Sequence, residues 1–218
     1  MLNYDFVYRF KLDLLWLFIV LTLLVVVFFN QNQLITALYA THPRDFIDIH
    51  TSLTGSWLHG NFDHLLGNIL SLTGLGVVFI LLFRNQYLFF FIIQWVLSGL
   101  ILFFVGRNGQ SHIGASTWAY SYAAFLGVIA LLHPNNRAKS ILFLVTLFYG
   151  SMWWGLLPIL PGISWQGHLS GTIAGILIAL FKIDFWIDKM YLPKLRNKID
   201  AADSDGYEEI PSNPFDEF

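Results

Sequence analysis

Residues 87–105 read Tyr87-Leu-Phe-Phe-Phe-Ile-Ile-Gln-Trp-Val-Leu-Ser-Gly-Leu-Ile-Leu-Phe-Phe-Val105, with no charge in the run and with Arg84 and Arg107 just outside it. A helix needs about 20 such residues to cross a bilayer core. An uncharged run rich in Phe, Leu and Ile has no polar face to turn toward water, so it predicts a spanning helix. Outward from it, apolar runs cover 12–29 and 65–83 on one side and 116–132, 141–157 and 169–181 on the other. The last is short, but Ile183, Phe185, Trp186 and Ile187 extend it, with Lys182 reaching the interface along its aliphatic stem. Composition agrees: of 218 residues, 56% are hydrophobic and 12% charged, about half the charge fraction of a soluble domain. The expected fold class is all-α, a polytopic membrane protein with six transmembrane helices.

The first run is long and is followed by Asn30-Gln-Asn-Gln33 rather than by a small-residue cleavage site, so it is expected to be a retained helix. Three segments follow from this reading: a cytoplasmic lead at 1–11, a membrane domain at 12–187 with a long outer loop at 30–63, and a cytoplasmic tail at 188–218. Beyond Asp200 the tail is acidic, has no Lys or Arg, and is expected to be disordered. Connections near Arg84 and Pro134 are tight, which implies antiparallel neighbouring helices. The chain has no cysteine, hence no disulfide framework and no thiol chemistry.

Charge sets the orientation. With a cytoplasmic N-terminus, the inner segments hold Arg9, Lys11, Arg84, Arg137, Lys139, Lys182, Lys189, Lys194, Arg196 and Lys198, ten of the twelve basic residues; only Arg44 and Arg107 lie outside. The positive-inside rule therefore puts both termini in the cytoplasm. A bacterial inner membrane is the expected location, on compactness and the lack of a presequence. In this topology the second, fourth and sixth runs all enter from the outer side. The residues that open them, His64, Ser116 and His168, then share a depth.

Those residues suit nucleophilic catalysis. Ser116 follows Gly114-Ala115 at a helix start, where backbone N–H groups lack intrahelical acceptors and suit a developing oxyanion. Ser116, Ala119, Ala123, Gly127 and Ala130 recur at three- and four-residue spacing, as do His168, Gly171, Gly175 and Ala179. Two small-residue stripes let the fourth and sixth helices pack closely, with a serine and a histidine at their heads. From Leu65 to Ile183 there is no Asp or Glu, and Lys139 and Lys182 lie near the inner surface. A Ser116–His168 dyad without a carboxylate is the arrangement left. His64 and Asn68 share a helix face and both donate hydrogen bonds, as an oxyanion requires or as a polar clasp between helices would. His59, His64 and His168 are the rival set for a metal, but no carboxylate joins them and no His-Glu-x-x-His appears. No metal or other cofactor is expected. His112 reads as a loop residue near the site.

Taken together, His59-Gly-Asn-Phe-Asp-His64-Leu-Leu-Gly-Asn68, Gly114-Ala115-Ser116, Tyr120 one turn later, and His168-Leu-Ser-Gly171-Thr-Ile-Ala-Gly175 resemble the rhomboid family of intramembrane serine proteases. The resemblance covers roughly residues 59–181. It implies Ser116 as nucleophile and His168 as general base, with His64, Asn68 and the Ser116 N–H as oxyanion hole and Tyr120 packed beneath His168. His59, Gly114, Gly171 and Gly175 support that site. The implied partners are transmembrane protein substrates entering sideways between the second and fifth helices, in the lipid bilayer; no nucleic acid is expected. The family usually has Gly after the nucleophile where this chain has Thr117, and Gly171 is expected to supply room for it. The family's usual Trp-Arg pair in the first outer loop is missing, with Arg44 following Pro43 instead. The alternative function is an inactive relative that binds transmembrane helices without cutting them. A channel or transporter is disfavoured by the lack of acids in the runs and of an internal repeat.

Overall fold

A computed structural model describes residues 4–132, 136–159, 162–181 and 185–186. Among these the chain is helical, apart from an isolated antiparallel bridge between Thr41 and His112. The helices are α1 (Tyr4–Asn30), α2 (Gln33–Tyr39), α3 (Thr51–Thr54), α4 (Phe62–Leu82), α5 (Tyr87–Val105), α6 (Ser116–Leu132), α7 (Asn136–Tyr149) and α8 (Trp165–Leu180). Two 3-10 segments, Gly55–Trp57 and Gly150–Leu156, follow α3 and α7 directly. By length and composition three helical stretches suffice to cross a membrane, Val7–Asn30 within α1, α4 and α5; α6 is apolar but shorter.

Several bounds differ from the sequence reading. Residues 4–11, expected as a lead, belong to α1. The run at 141–157 is not one continuous α-helix: α7 starts at Asn136, and after Tyr149 the backbone tightens into the 3-10 segment. The sixth run begins earlier, because Ser164 caps α8 by accepting the Gly167 N–H at 3.2 Å, which places His168 inside the first turn. Asn61 likewise caps α4, accepting the His64 N–H at 2.8 Å. The tail, the Pro134 connection and the extension at Lys182, Ile183 and Ile187 lie outside the described residues.

The core is aromatic. Phe79, Phe83, Phe90, Tyr122 and Phe125 interlock between α4, α5 and α6, with ring centroids 4.6 Å apart for Phe79–Phe90 and for Phe90–Phe125. Nearer the site, Trp118 meets Trp57 at 4.9 Å and Phe91 at 5.0 Å. Rings of this size fill the bundle with few rotatable bonds, which suits a scaffold that must hold side chains still.

α6 and α8 cross backbone to backbone. A Cβ on Gly171 would lie 2.0 Å from the Thr117 carbonyl oxygen, and one on Gly175 would lie 2.2 Å from that of Ser121. The α8 stripe therefore does what small residues do between membrane helices. The α6 stripe faces it only in part: Ser116 meets His168, but Ala123 and Gly127 line an apolar cavity of about 290 Å³ between α6, α7 and α8. The glycines of α8 press on the α6 backbone at Thr117 and Ser121, one step around the helix from Ser116 and Tyr120.

The segment between α1 and α4 is anchored rather than free. Thr41 and His112 exchange both backbone bonds, at 2.9 and 3.0 Å, and the Gly114 N–H donates to the Gly55 carbonyl at 3.1 Å. The Arg44 backbone N–H and its Nε donate to the carbonyls of Phe103 and Phe104 at 3.0 and 3.2 Å, occupying carbonyls that the end of α5 would otherwise leave open. That is the local work of the arginine that stands in place of a Trp-Arg pair.

Candidate active site

Ser116 is the first residue of α6. Gly114 has φ +115°, a conformation that favours glycine, and the Ala115 carbonyl accepts from the N–H groups of Trp118 and Ala119. The chain turns sharply into the helix, leaving the Ser116 N–H without an intrahelical acceptor. Its hydroxyl meets His168 Nε2 at 3.0 Å.

The other ring nitrogen decides what that bond means. His168 Nδ1 lies 2.8 Å from the Gly155 carbonyl oxygen, which only accepts, so Nδ1 carries the proton and Nε2 presents its lone pair to the Ser116 hydroxyl. The sequence reading had only Tyr120, packed beneath His168, to steady the ring; a backbone carbonyl of the 3-10 segment holds it as well. Asp63 borders the same cavity, but the position a carboxylate would occupy on Nδ1 is filled. Tyr120 lies parallel to the imidazole and donates its hydroxyl to the Met152 carbonyl at 2.6 Å, also from the 3-10 segment. Gly155 went unnoticed in the sequence. A Cβ there would fall 2.1 Å from the Tyr120 hydroxyl and 2.8 Å from His168 Nδ1, so only glycine fits. The one signal was a lone glycine in an aromatic run, Trp153-Trp154-Gly155.

Across the cavity stand His64 and Asn68. Ser116, His168, Tyr120, His64 and Asn68 all line one space of about 620 Å³. Gly114 lies against the His64 ring, with 2.6 Å left to a Cβ. Asn68 Nδ2 donates to His59 Nε2 at 2.9 Å, and the Ala115 N–H also points at that nitrogen, at 3.5 Å. His59 lies between the spans; burial first, and the neighbouring His64 second, lower its pKa to about 4, so the ring is neutral and able to accept. Its backbone is held at both polar atoms by the Gln31 amide, which accepts the His59 N–H at 3.2 Å and donates to the His59 carbonyl. The second N–H of Asn68 remains for the cavity.

Thr117 is accommodated, though not by Gly171. Its hydroxyl lies 3.3 Å from that of Ser56, and its methyl would sit 3.4 Å from a Cβ on Gly167. Gly171 meets the Thr117 backbone instead. Among the described residues no three His, Cys, Asp or Glu side chains assemble as a metal-ligand group.

A Rhomboid domain profile matches residues 47–185, more than half of the chain, and the chain belongs to the rhomboid family. It is an integral membrane protein. It is similar to an uncharacterized protein of Mycobacterium tuberculosis (strain ATCC 25618 / H37Rv), at 36% identity over 130 residues, 56% of this chain and 54% of that protein. An uncharacterized Mycobacterium leprae protein is 34% identical over 131 residues, 56% of this chain and 51% of the other. A protein of Acanthamoeba polyphaga mimivirus that carries a provisional rhomboid name is 28% identical over 178 residues, 76% of this chain and 90% of the other. The aligned region spans about half the length of the mycobacterial relatives.

Proposed function

We propose that this chain is an intramembrane serine endopeptidase that hydrolyses a peptide bond of another membrane protein near the outer face. The observation that carries the reading is the chain of bonds from the Ser116 hydroxyl to His168 Nε2 and from Nδ1 to the Gly155 carbonyl. As the Ser116 oxygen bonds to the scissile carbon, its proton passes to Nε2. The carbonyl oxygen becomes an oxyanion held by the Ser116 N–H, Asn68 Nδ2 and His64. The C–N bond then breaks as His168 returns the proton to the leaving amine. Water, deprotonated by the same Nε2, releases the acyl group and restores Ser116. A substrate helix must unwind locally to expose its carbonyl. The cavity of about 620 Å³ accommodates an extended segment and water.

The topology proposed with this reading has six spans, both termini in the cytoplasm, and the site near the outer face, in a bacterial inner membrane. Substrate reaches the site between α4 and α7. On that side the Tyr149 hydroxyl approaches Gly74, so near that a Cβ there would lie 1.8 Å away.

The test is labelling by a serine-directed fluorophosphonate together with cleavage of a transmembrane reporter. The parent is expected to do both, and Ser116→Ala and His168→Ala neither, with the double variant no worse than either single one because the two act as a unit. Asn68→Ala should keep the fold and lose on the order of 10²-fold in turnover, as for one oxyanion donor. Labelling or cleavage that survives Ser116→Ala would turn the reading toward a protein that binds transmembrane helices without cutting them.

A further inference from the structure

Resting on the protease reading, we propose that His112 is a positioning residue: through Ser164 it sets where His168 stands relative to Ser116. The two reacting side chains come from segments far apart in sequence, and something must fix α8 against the loop that feeds α6. Small-residue packing at Gly171 and Gly175 sets the distance between the helices.

Two side-chain hydrogen bonds cross this junction. His112 Nδ1 meets Ser164 Oγ at 2.6 Å, and Gln166 Nε2 donates to Gln110 Oε1 at 3.2 Å. His112 and Gln166 are buried, Ser164 is half-buried and Gln110 is exposed, so the His112–Ser164 bond is the more protected of the two and the costlier to break. The connection runs on in both directions. On one side the backbone of His112 is paired to Thr41, and the Gly114 N–H is bonded to the Gly55 carbonyl, four residues and then two residues before Ser116. On the other side Ser164 caps α8 through the Gly167 N–H, and its own carbonyl accepts the His168 N–H at 3.1 Å. Ser164 thus touches His112 with its side chain and His168 with its backbone. On one side of the pair the fold leaves only about 10 Å³, between Thr41, Gly55, Ser56 and Gly167, and on the other the pair borders the site cavity.

The experiment measures the rate constant of fluorophosphonate labelling of Ser116, and kcat and KM for a transmembrane reporter, in the full chain. The variants are His112→Phe, Ser164→Ala, their double and His112→Asn. His112→Phe keeps a large ring without the polar atom, and His112→Asn puts a polar atom near the place of Nδ1. His112→Phe should lower kcat and labelling about ten- to a hundredfold, the order expected when a reacting pair is displaced by up to an ångström, with KM little changed. His112→Asn should recover most of the loss. The double variant should be no slower than Ser164→Ala, since the two act through one bond. Unfolding temperature, read in parallel, separates these effects from a failure to fold, and any fold-wide damage from His112→Phe would move KM as well. Ser116-dependent labelling that is unchanged in His112→Phe, or that His112→Asn fails to recover, overturns the proposal and leaves the protease reading standing. A parent that neither labels nor cleaves overturns both.

Discussion

The imidazole of His168 lies parallel to the ring of Tyr120, with centroids 4.1 Å apart and planes 11° from coplanar. The Tyr120 hydroxyl is tied to the Met152 carbonyl and His168 Nδ1 to the Gly155 carbonyl, so one short 3-10 segment steadies both partners of the stack. Tyr120→Phe keeps the stack and loses one hydrogen bond; cleavage is expected to stay within about tenfold of the parent, since one such bond contributes about 1 kcal/mol. Tyr120→Ala removes the surface against which the ring rests and should cost about 10²-fold. Equal rates for the two variants in a reporter assay would mean that the stack does not orient the base.

Gly155→Ala should be far more damaging than its size suggests. The added methyl has 2.1 Å to the Tyr120 hydroxyl and 2.8 Å to His168 Nδ1, so the tyrosine or the histidine must move. Turnover is expected to fall by about 10²-fold. Gly150→Ala, in the same 3-10 segment but with 3.9 Å to its nearest neighbour, provides the control and should be close to silent. A Gly155→Ala enzyme as fast as the Gly150→Ala one would remove this carbonyl from the mechanism.

At the α6–α8 crossing, Gly171→Val should abolish most activity and lower stability, because its Cβ alone would meet the Thr117 oxygen at 2.0 Å, and backbone cannot step aside. Thr117→Ser keeps the hydroxyl that faces Ser56 and should be tolerated. Cleavage and thermal unfolding at equal folded amounts decide it, and a fully active Gly171→Val protein would speak against close packing here.

Acid should weaken the fold through His59. Burial and the nearby His64 lower its pKa from 6.5 to about 4. The unfolded chain takes up a proton near pH 6.5 that the folded chain refuses until about pH 4, so stability falls as pH drops through that window and this group adds no slope above or below it. His112, whose pKa burial also lowers, acts in the same direction. Below about pH 4 a protonated His59 no longer accepts from Asn68, and turnover should fall with it. The unfolding temperature of His59→Gln should vary less with pH across this range; slopes identical to the parent's would assign the acid sensitivity elsewhere.

Topology is testable with single cysteines, because the chain has none. A cysteine at Asn32, in the segment between α1 and α2, should react with an impermeant maleimide added outside intact cells, as the ten-to-two division of basic residues requires. Reaction only from the cytoplasmic side would invert the proposed orientation.

The legibility of this chain in its sequence has a sharp boundary. Apolar runs without charge cannot face water, so membrane residence and all-helical structure were determined by composition and order alone. So was the pairing of Ser116 with His168: with no acid between Leu65 and Ile183, and with both residues heading small-residue stripes, few other pairs could meet. The α8 stripe was legible too, because only glycine permits backbone contact there.

What only the tertiary structure decided rests on groups that every residue shares or on contacts between distant segments. The carbonyls of Gly155 and Met152 hold the His168 ring and its stacking partner, yet a carbonyl leaves no mark in the sequence beyond the glycine that makes room. The run at 141–157 looked uniform, and its change to a 3-10 segment after Tyr149 sets where those carbonyls point. Thr117 finds its space at Ser56 and Gly167, which lie far from each other in the chain. Hydrophobic periodicity states which residues avoid water; which backbone oxygen faces a given nitrogen depends on the relative height and rotation of packed helices, and those are set only once the whole bundle has closed.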